Sequence, residues 1–356
     1  MKGIVNTYLN ERIQQPKLSA TTQVYYEPGD VVEIVKEVWG EEYKHSNLWF
    51  ELSNGTFVWG EGIDLPIEQR PSFFIDYYEP FKRNFPMGPE LPGILILDTG
   101  ITNHIDLNHI TERINFLDGS DYTPDESGHG THMAGLIAAK AKSSGINGMF
   151  PEAKITIGKI KSGQSSVLDM MKALLNAFNW VVEKADHIQV ISISQGLDKE
   201  TWDSHEAVRD EILDTMKILR GQGVFVVASA GDNKELEMEV LPADMNELSI
   251  SVGALQRNLL NWVPLKPVDI ICPLVPHYST FLKSSRPYPF FAQMTGCSTS
   301  TALVSALIAL ILSVEMSRAK SPVNLTKQEV LQKLKRFEEL PFDFNYNHFE
   351  YSIRSA

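Results

Sequence analysis

The stretch Gly296-Cys297-Ser298-Thr299-Ser300-Thr301 and the run from Ala302 to Val314 that follows it constrain the fold more than any other part of the chain. The run is Ala, Leu, Ile and Val with a few Ser. It is shorter than the ~20 residues that span a bilayer, so it reads as a helix buried in a globular core. Small residues just before it let the backbone turn sharply out of a strand. Ser298 then sits near the N-terminus of a buried helix, where N–H groups point outward and the dipole favours developing negative charge. A nucleophilic hydroxyl suits such a place. Taken alone, the Ser/Thr cluster is better read as a cap on a core helix.

Two upstream blocks give that serine company. Gly93-Ile94-Leu95-Ile96-Leu97-Asp98-Thr99-Gly100-Ile101 is an apolar strand ending in an acid and a Gly turn. Ser127-Gly128-His129-Gly130-Thr131-His132-Met133-Ala134-Gly135 follows. Hydrolysis at neutral pH needs a nucleophile, a base near pKa 7 and a group to orient that base, and Ser298, His129 and Asp98 have those chemistries. Each has a plainer local reading. Asp98 serves equally as a turn or cap acid. His129 and His132 have the spacing of a metal pair, but no zincin Glu and no third ligand stand near them.

The chain order Asp, His, Ser is that of subtilisin. Asp-Thr-Gly-Ile, His-Gly-Thr-His-x-Ala-Gly and Gly-x-Ser-x-Ser before a buried helix resemble the subtilisin-like serine peptidases, over about Leu91 to Glu315. The resemblance implies a serine endopeptidase that cleaves peptide or protein substrates through an acyl-enzyme on Ser298. His129 is its base and Asp98 the orienter; no organic cofactor and no metal is implied. His132, one helical turn on, becomes a core residue. Lys161-Ser162-Gly163-Gln164 resembles the edge strand that pairs with substrate, and Ile193-Ser194-Gln195-Gly196 the second such segment, which also walls the P1 pocket. Alone, each is an ordinary Gly/Ser turn after a strand. Gln195 replaces a residue usually apolar in the family, so P1 preference does not carry over.

The main departure lies in Val226-Val227-Ala228-Ser229-Ala230-Gly231-Asp232-Asn233, where Asp232 occupies the family's oxyanion Asn. An ionised carboxylate donates no hydrogen bond, and loss of such a donor costs roughly 10²–10³-fold in kcat. Asp232 protonated, Asn233 shifted by one residue, or a slow or inactive enzyme all remain open. Some prohormone convertases resemble this chain here and are active, so an active enzyme is expected. The rival is a catalytically weak or inactive subtilisin-like scaffold that binds a protein partner. Two smaller departures are Ala302, where the family has Pro, and the loop Lys140-Ala141-Lys142-Ser143-Ser144-Gly145-Ile146. Its lysines make the family's calcium site improbable and leave Asp106 a structural acid.

The 356 residues suggest two domains. Residues 1–65 carry the turn Glu27-Pro28-Gly29-Asp30, the strand Val31–Val35, and an Asn54-Gly55 hairpin between Leu48–Leu52 and Thr56–Trp59. With Leu9–Arg12 as first strand, these resemble a bacterial SH3-like β-barrel. That implies a peptide or protein ligand held by Tyr25, Tyr26, Trp39, Trp49 and Trp59, unless these aromatics fill a small core. Residues 66–90 alternate prolines with aromatics and read as an extended, packed linker. From 91 to 320, apolar strands alternate with amphipathic stretches, which argues for an α/β fold with a parallel sheet flanked by helices. Strands are expected at Ile94–Asp98, Lys154–Lys159, Val190–Ser194, Val224–Ser229 and Ser249–Val252. Helices are expected at His132–Lys140, Ser166–Lys184, Glu206–Gln222 and Thr299–Glu315. In 321–356, a helix Thr326–Leu340 capped by Thr326 and Glu329 precedes an aromatic tail packed on the body. The net charge of −13 argues against nucleic acid. Cys272 and Cys297 read as buried thiols. The first residues lack a signal-peptide apolar stretch, so a cytoplasmic protein without a membrane partner is expected.

Overall fold

The computed structural model describes residues 2–43, 46–64, 74–79, 89–141, 145–231, 240–255, 268–273, 276–282 and 291–335. Its N-terminal part is a seven-stranded antiparallel sheet of β1 (Lys2–Val5), β2 (Leu9–Arg12), β3 (Thr21–Tyr26), β4 (Val31–Tyr43), β5 (Ser46–Leu52), β6 (Phe57–Trp59) and β7 (Ile63–Asp64). Their order is β3-β2-β6-β5-β4-β1-β7. Gly55, at φ +80°, closes the expected hairpin by donating to the Leu52 carbonyl. Trp49 is buried, Trp59 is partly buried against Tyr43, and Tyr25 stays exposed. The side chain of Trp39 lies outside the described residues. The buried Glu11 carboxylate collects Asn54 Nδ2 (2.7 Å), Thr56 Oγ1 (2.8 Å) and Tyr26 OH (3.0 Å). That hub ties β2, β3 and the hairpin together.

The second sheet is wholly parallel. Its strands are β8 (Gly93–Asp98), β9 (Glu112–Asn115), β10 (Lys154–Lys159), β11 (Ile188–Ile193), β12 (Phe225–Ser229), β13 (Ile250–Leu255) and β14 (Ile270–Pro273). The order is β9-β10-β8-β11-β12-β13-β14. Strand β8 is buried at every position because both faces are covered. Ile94 and Ile96 point into one hydrophobic cluster, Leu95 and Leu97 into the other. The chain builds to one side of β8 and then to the other, so the C-terminal end of β8 is a topological switch point. Asp98 is its last residue.

Helices α1 (His129–Ala138) and α4 (Cys297–Ala319) cover the first face; α2 (Val167–Lys184) and α3 (Glu206–Gly221) cover the second. The expected strands and helices of this domain appear, Lys154–Lys159 with the bounds expected and the others with shifted ends. Two strands of this sheet went unforeseen: the short, polar edge β9, and β14, which ends in Pro273. Neither presents the apolar alternation that betrays a strand. Residues Phe74–Asp76 pair in parallel with Gly145–Asn147, and Tyr77 donates to the Tyr278 carbonyl. The linker is thus built onto the large sheet's domain where it is described. Helix α4 runs for 23 residues, longer than its apolar run suggests and long enough to cross a membrane by length alone. Its most apolar window is 94% buried inside the protein, so it is the core helix that the sequence implies. Helix α5 (Lys327–Lys335) starts at the expected capping box, with Thr326 and Glu329 exchanging hydrogen bonds. The last residues of that expected helix, 336–340, and the expected packing of the tail from Pro341 on lie outside the described residues.

A hairpin of β15 (His277–Thr280) and β16 (Phe291–Met294) completes the domain. Phe281 and Ala292 share a buried cluster with Val5, Leu9, Ile34, Phe50 and Val58. The described core of the N-terminal sheet therefore extends into this hairpin.

Candidate active site

The site grows from the meeting of β8 and α1. The helix expected from His132 starts at His129 instead. The reason is a buried carboxylate just upstream. Asp125 accepts from Gly128 N (2.8 Å), Thr131 N (2.8 Å), Thr131 Oγ1 (2.7 Å) and Thr99 Oγ1 (2.9 Å). It supplies the acceptors and the negative charge that a helix N-terminus requires. Thr99 Oγ1 in turn accepts from Gly130 N (2.9 Å), which ties α1 to the end of β8. A β-carbon at Gly130 would run into the Gly100 carbonyl, so glycine is required for this approach.

The two elements so joined put His129 Nδ1 at 2.7 Å from Asp98 Oδ1. Asp98 is almost fully buried, and the same oxygen accepts from Thr99 N at 2.7 Å. Its Oδ2 has no hydrogen-bond partner among the described residues. Burial pulls the His129 pKa down, but the charge and hydrogen bond of Asp98, with help from Asp125, outweigh it and raise it above the ordinary value. Nδ1 carries the proton in this pairing, which leaves Nε2 free to accept one.

Ser298 lies in the first turn of α4, which begins two residues earlier than expected. Its Oγ donates to the Ser194 carbonyl at 3.1 Å, and Ser194 Oγ donates back to the Ser298 carbonyl at 3.0 Å. The neighbouring hydroxyls do not cap the helix. Thr299 and Thr301 donate to the Gly296 and Cys297 carbonyls, and among the described residues no side chain caps this N-terminus. The Ser298 N–H therefore has no intrahelical acceptor. Cys297, buried as expected, donates its S–H to the Gly231 carbonyl.

Gln195 follows Ser194 and reaches the His129 ring, with Nε2 at 3.4 Å from Nδ1. Its Oε1 accepts from Lys161 Nζ at 2.9 Å, which fixes the amide orientation. Two donors then face each other at the histidine, so that contact is packing and not a hydrogen bond. Gln195 and Gly196 also wall a small cavity lined by Met170, Met171, Leu174 and Trp202. Ser162, Gly163 and Gln164 form a turn whose N–H groups already have acceptors: Ser165 Oγ, Glu126 Oε2 and Ser162 Oγ. Asp232 and Asn233 lie outside the described residues.

His132 is a core residue, as the sequence implies. Its Nε2 lies 3.2 Å and 3.1 Å from the His277 and Ala292 carbonyls. Asp106 Oδ2 accepts from Ile146 N at 3.2 Å, the structural acid expected. Among the described residues no three His, Cys, Asp or Glu side chains gather as a metal site. Sequence reading missed Asp125 and Thr99. The signal was present as an Asp three residues before Gly128, where its carboxylate can reach the first helical N–H groups.

A model of the subtilase family matches residues 93–339. The chain is similar to the major intracellular serine protease of Bacillus subtilis (strain 168), with 33% identity over 263 residues, covering 70% of this chain and 76% of that protein. It is also similar to the intracellular serine protease of Paenibacillus polymyxa, at 28% over 256 residues, 68% of this chain and 72% of that one. Among solved structures, an S41 psychrophilic protease superposes with a TM-score of 0.53 at 24% identity, over 70% of this chain and 83% of the other. That likeness concerns the fold.

The two buried histidines beside the site yield a stability prediction. Burial, with the neighbouring His129 charge, pushes His132 down to about 3, and burial pushes His277 down to about 4. Both are neutral in the folded protein and protonate near pH 6.5 when unfolded. Their depressed values mean that stability is full above pH 6.5 and is lost as pH falls toward 4. The slope is about 1.4 kcal/mol per pH unit for each histidine. His129, raised in the fold, has the opposite sign: its contribution is fully present below pH 6.5 and is lost as pH rises through its higher folded value. Urea unfolding between pH 7 and 4.5 should show the loss, and His132→Gln should flatten it.

Proposed function

The chain belongs to the subtilase family and is a serine endopeptidase, and from that premise we propose that Asp98, His129 and Ser298 are its catalytic triad. The observation that carries this reading is the 2.7 Å contact between His129 Nδ1 and a carboxylate sealed from solvent. Substrate binding draws the Ser298 hydroxyl away from the Ser194 carbonyl and toward His129 Nε2. As Oγ attacks the scissile carbonyl, Nε2 takes its proton, and Asp98 stabilises the imidazolium through Nδ1–H. The proton then passes to the leaving amine. Water, activated by the same nitrogen, hydrolyses the acyl-enzyme on Ser298.

The developing oxyanion meets the uncapped Ser298 N–H and the positive end of α4. We assign its second donor to protonated Asp232, with Asn233 as the alternative. Substrate lies extended between Ser162-Gly163-Gln164 and Ser194-Gln195-Gly196. Binding on the first side displaces the internal acceptors that Ser165, Glu126 and Ser162 now offer. Two relatives named as intracellular proteases support a cytoplasmic location. Residues 1–65 are read as an SH3-like unit with a peptide or protein ligand, residues 66–90 as its connection, 91–320 as the peptidase domain and 321–356 as a helix and tail packed on it.

A fluorophosphonate probe tests the triad. Wild type should label at one serine, and Ser298→Ala and His129→Ala should each abolish labelling. Equal labelling of Ser298→Ala and wild type would reject the assignment.

The oxyanion donor is tested separately. If protonated Asp232 donates, activity falls at alkaline pH as the carboxyl ionises. Asp232→Asn supplies a permanent donor and should show equal or higher kcat above neutral pH with no alkaline fall, while Asn233→Ala changes little. A loss of ~10²-fold in Asn233→Ala, with Asp232→Asn neutral, would move the role to Asn233.

A further inference from the structure

The β15–β16 hairpin stands between the N-terminal sheet and the helix that carries His129, and it is fastened to both. Toward α1 the fastening is polar. Ser279 Oγ donates to the His132 carbonyl (2.8 Å) and Thr280 Oγ1 to the Thr131 carbonyl (2.7 Å). The His132 ring reaches back to the carbonyls of His277 and Ala292. Gly135, farther along α1, has no room for a β-carbon against Ser279 and Thr280. Toward the N-terminal sheet the fastening is apolar. Phe281 and Ala292 are buried with Leu9, Phe50, Leu52 and Val58.

Phe281 joins the two fastenings at a sensitive point. Its ring lies over Gly128, where a β-carbon would sit 2.5 Å from the ring atoms. Gly128 also has φ +84°, so two constraints demand glycine there. The next residue is His129. The packing of the N-terminal sheet is thus passed, through one aromatic ring, to the backbone that sets the direction of the His129 side chain. Close packing transmits displacement and does not absorb it. A misplacement of ~1 Å in a catalytic group can cost up to ~10²-fold in rate.

We propose that Phe281 is a positioning residue for His129, and that the N-terminal sheet is through it a working part of the peptidase. The proposal rests on the reading of His129 as the base. It requires of residues 2–64 a role in setting the base, whatever ligand they also hold.

The test uses the full chain. Phe281→Ala should lower kcat, and the rate of fluorophosphonate labelling at Ser298, by about tenfold while KM stays within about twofold. Phe281→Leu should restore most of the loss, since a large apolar side chain again fills the seat. Val58→Ala, inside the N-terminal core, should lower kcat in the same direction by about threefold. Wild-type kcat in folded Phe281→Ala overturns the proposal, even if its melting temperature falls. Should Phe281→Ala fail to fold, wild-type kcat in folded Val58→Ala overturns it. Labelling that survives His129→Ala would instead sink the reading of the base. Labelling abolished there, with Phe281→Ala at wild-type rate, sinks only this inference.

Discussion

The structure depends on the buried contact between Asp98 and His129. A carboxylate withdrawn from water is costly unless it is paired and hydrogen-bonded. Asp98 obtains its partners only if the end of β8 and the start of α1 meet within hydrogen-bond reach. Much of the surrounding architecture serves that meeting. The switch in strand order leaves the end of β8 open, Gly130 lets the backbones touch, and Asp125 and Thr99 bind them together. Asp125 is itself nearly buried, so its charge is offset by the helix N–H groups and hydroxyls that it accepts.

The second half of the site is held differently. Ser298 is placed by a helix buried almost all round, so its backbone has little freedom. Its hydroxyl is parked on the Ser194 carbonyl, within the segment expected to pair with substrate. On the proposed reading, substrate binding and release of the Ser298 hydroxyl are linked, because a peptide lying along Ser194–Gly196 would compete for the same edge. The turn Ser162–Gln164, with its N–H groups internally satisfied, sets a similar threshold on the other side. Catalytic hydrogen bonds often tighten only once substrate is bound.

The long apolar strands and the buried helix were legible because burial writes a pattern into sequence: β8, β10 and α4 lie where their residues imply. The meeting of Asp98 with His129 was legible because two short motifs in this order pair an acid with a histidine. The start of α1 was not, because it is set by the Asp125 carboxylate, three residues before Gly128, which takes up N–H groups of the first turn. Strands β9 and β14 were not, since edge strands carry little apolar alternation. Nor was the seat of Phe281 between the N-terminal core and Gly128. That contact joins residues far apart in the chain, and no local pattern encodes it. The same holds for Gln195 and Lys161, whose pairing beside the histidine follows from two loops meeting.

The central claim is that Asp98 makes His129 the base by fixing its tautomer and raising its pKa. The most direct measurement is the pH dependence of fluorophosphonate labelling in wild type and Asp98→Asn. In wild type the rate should fall as pH drops through a value above the ordinary 6.5 of histidine, because only neutral His129 accepts the serine proton. In Asp98→Asn that limb should move to lower pH, since burial then acts unopposed by the carboxylate. The plateau should drop by about 10⁴-fold as the wrong tautomer prevails. An Asp98→Asn protein that labels at the wild-type rate, with its acid limb unmoved, would contradict the account.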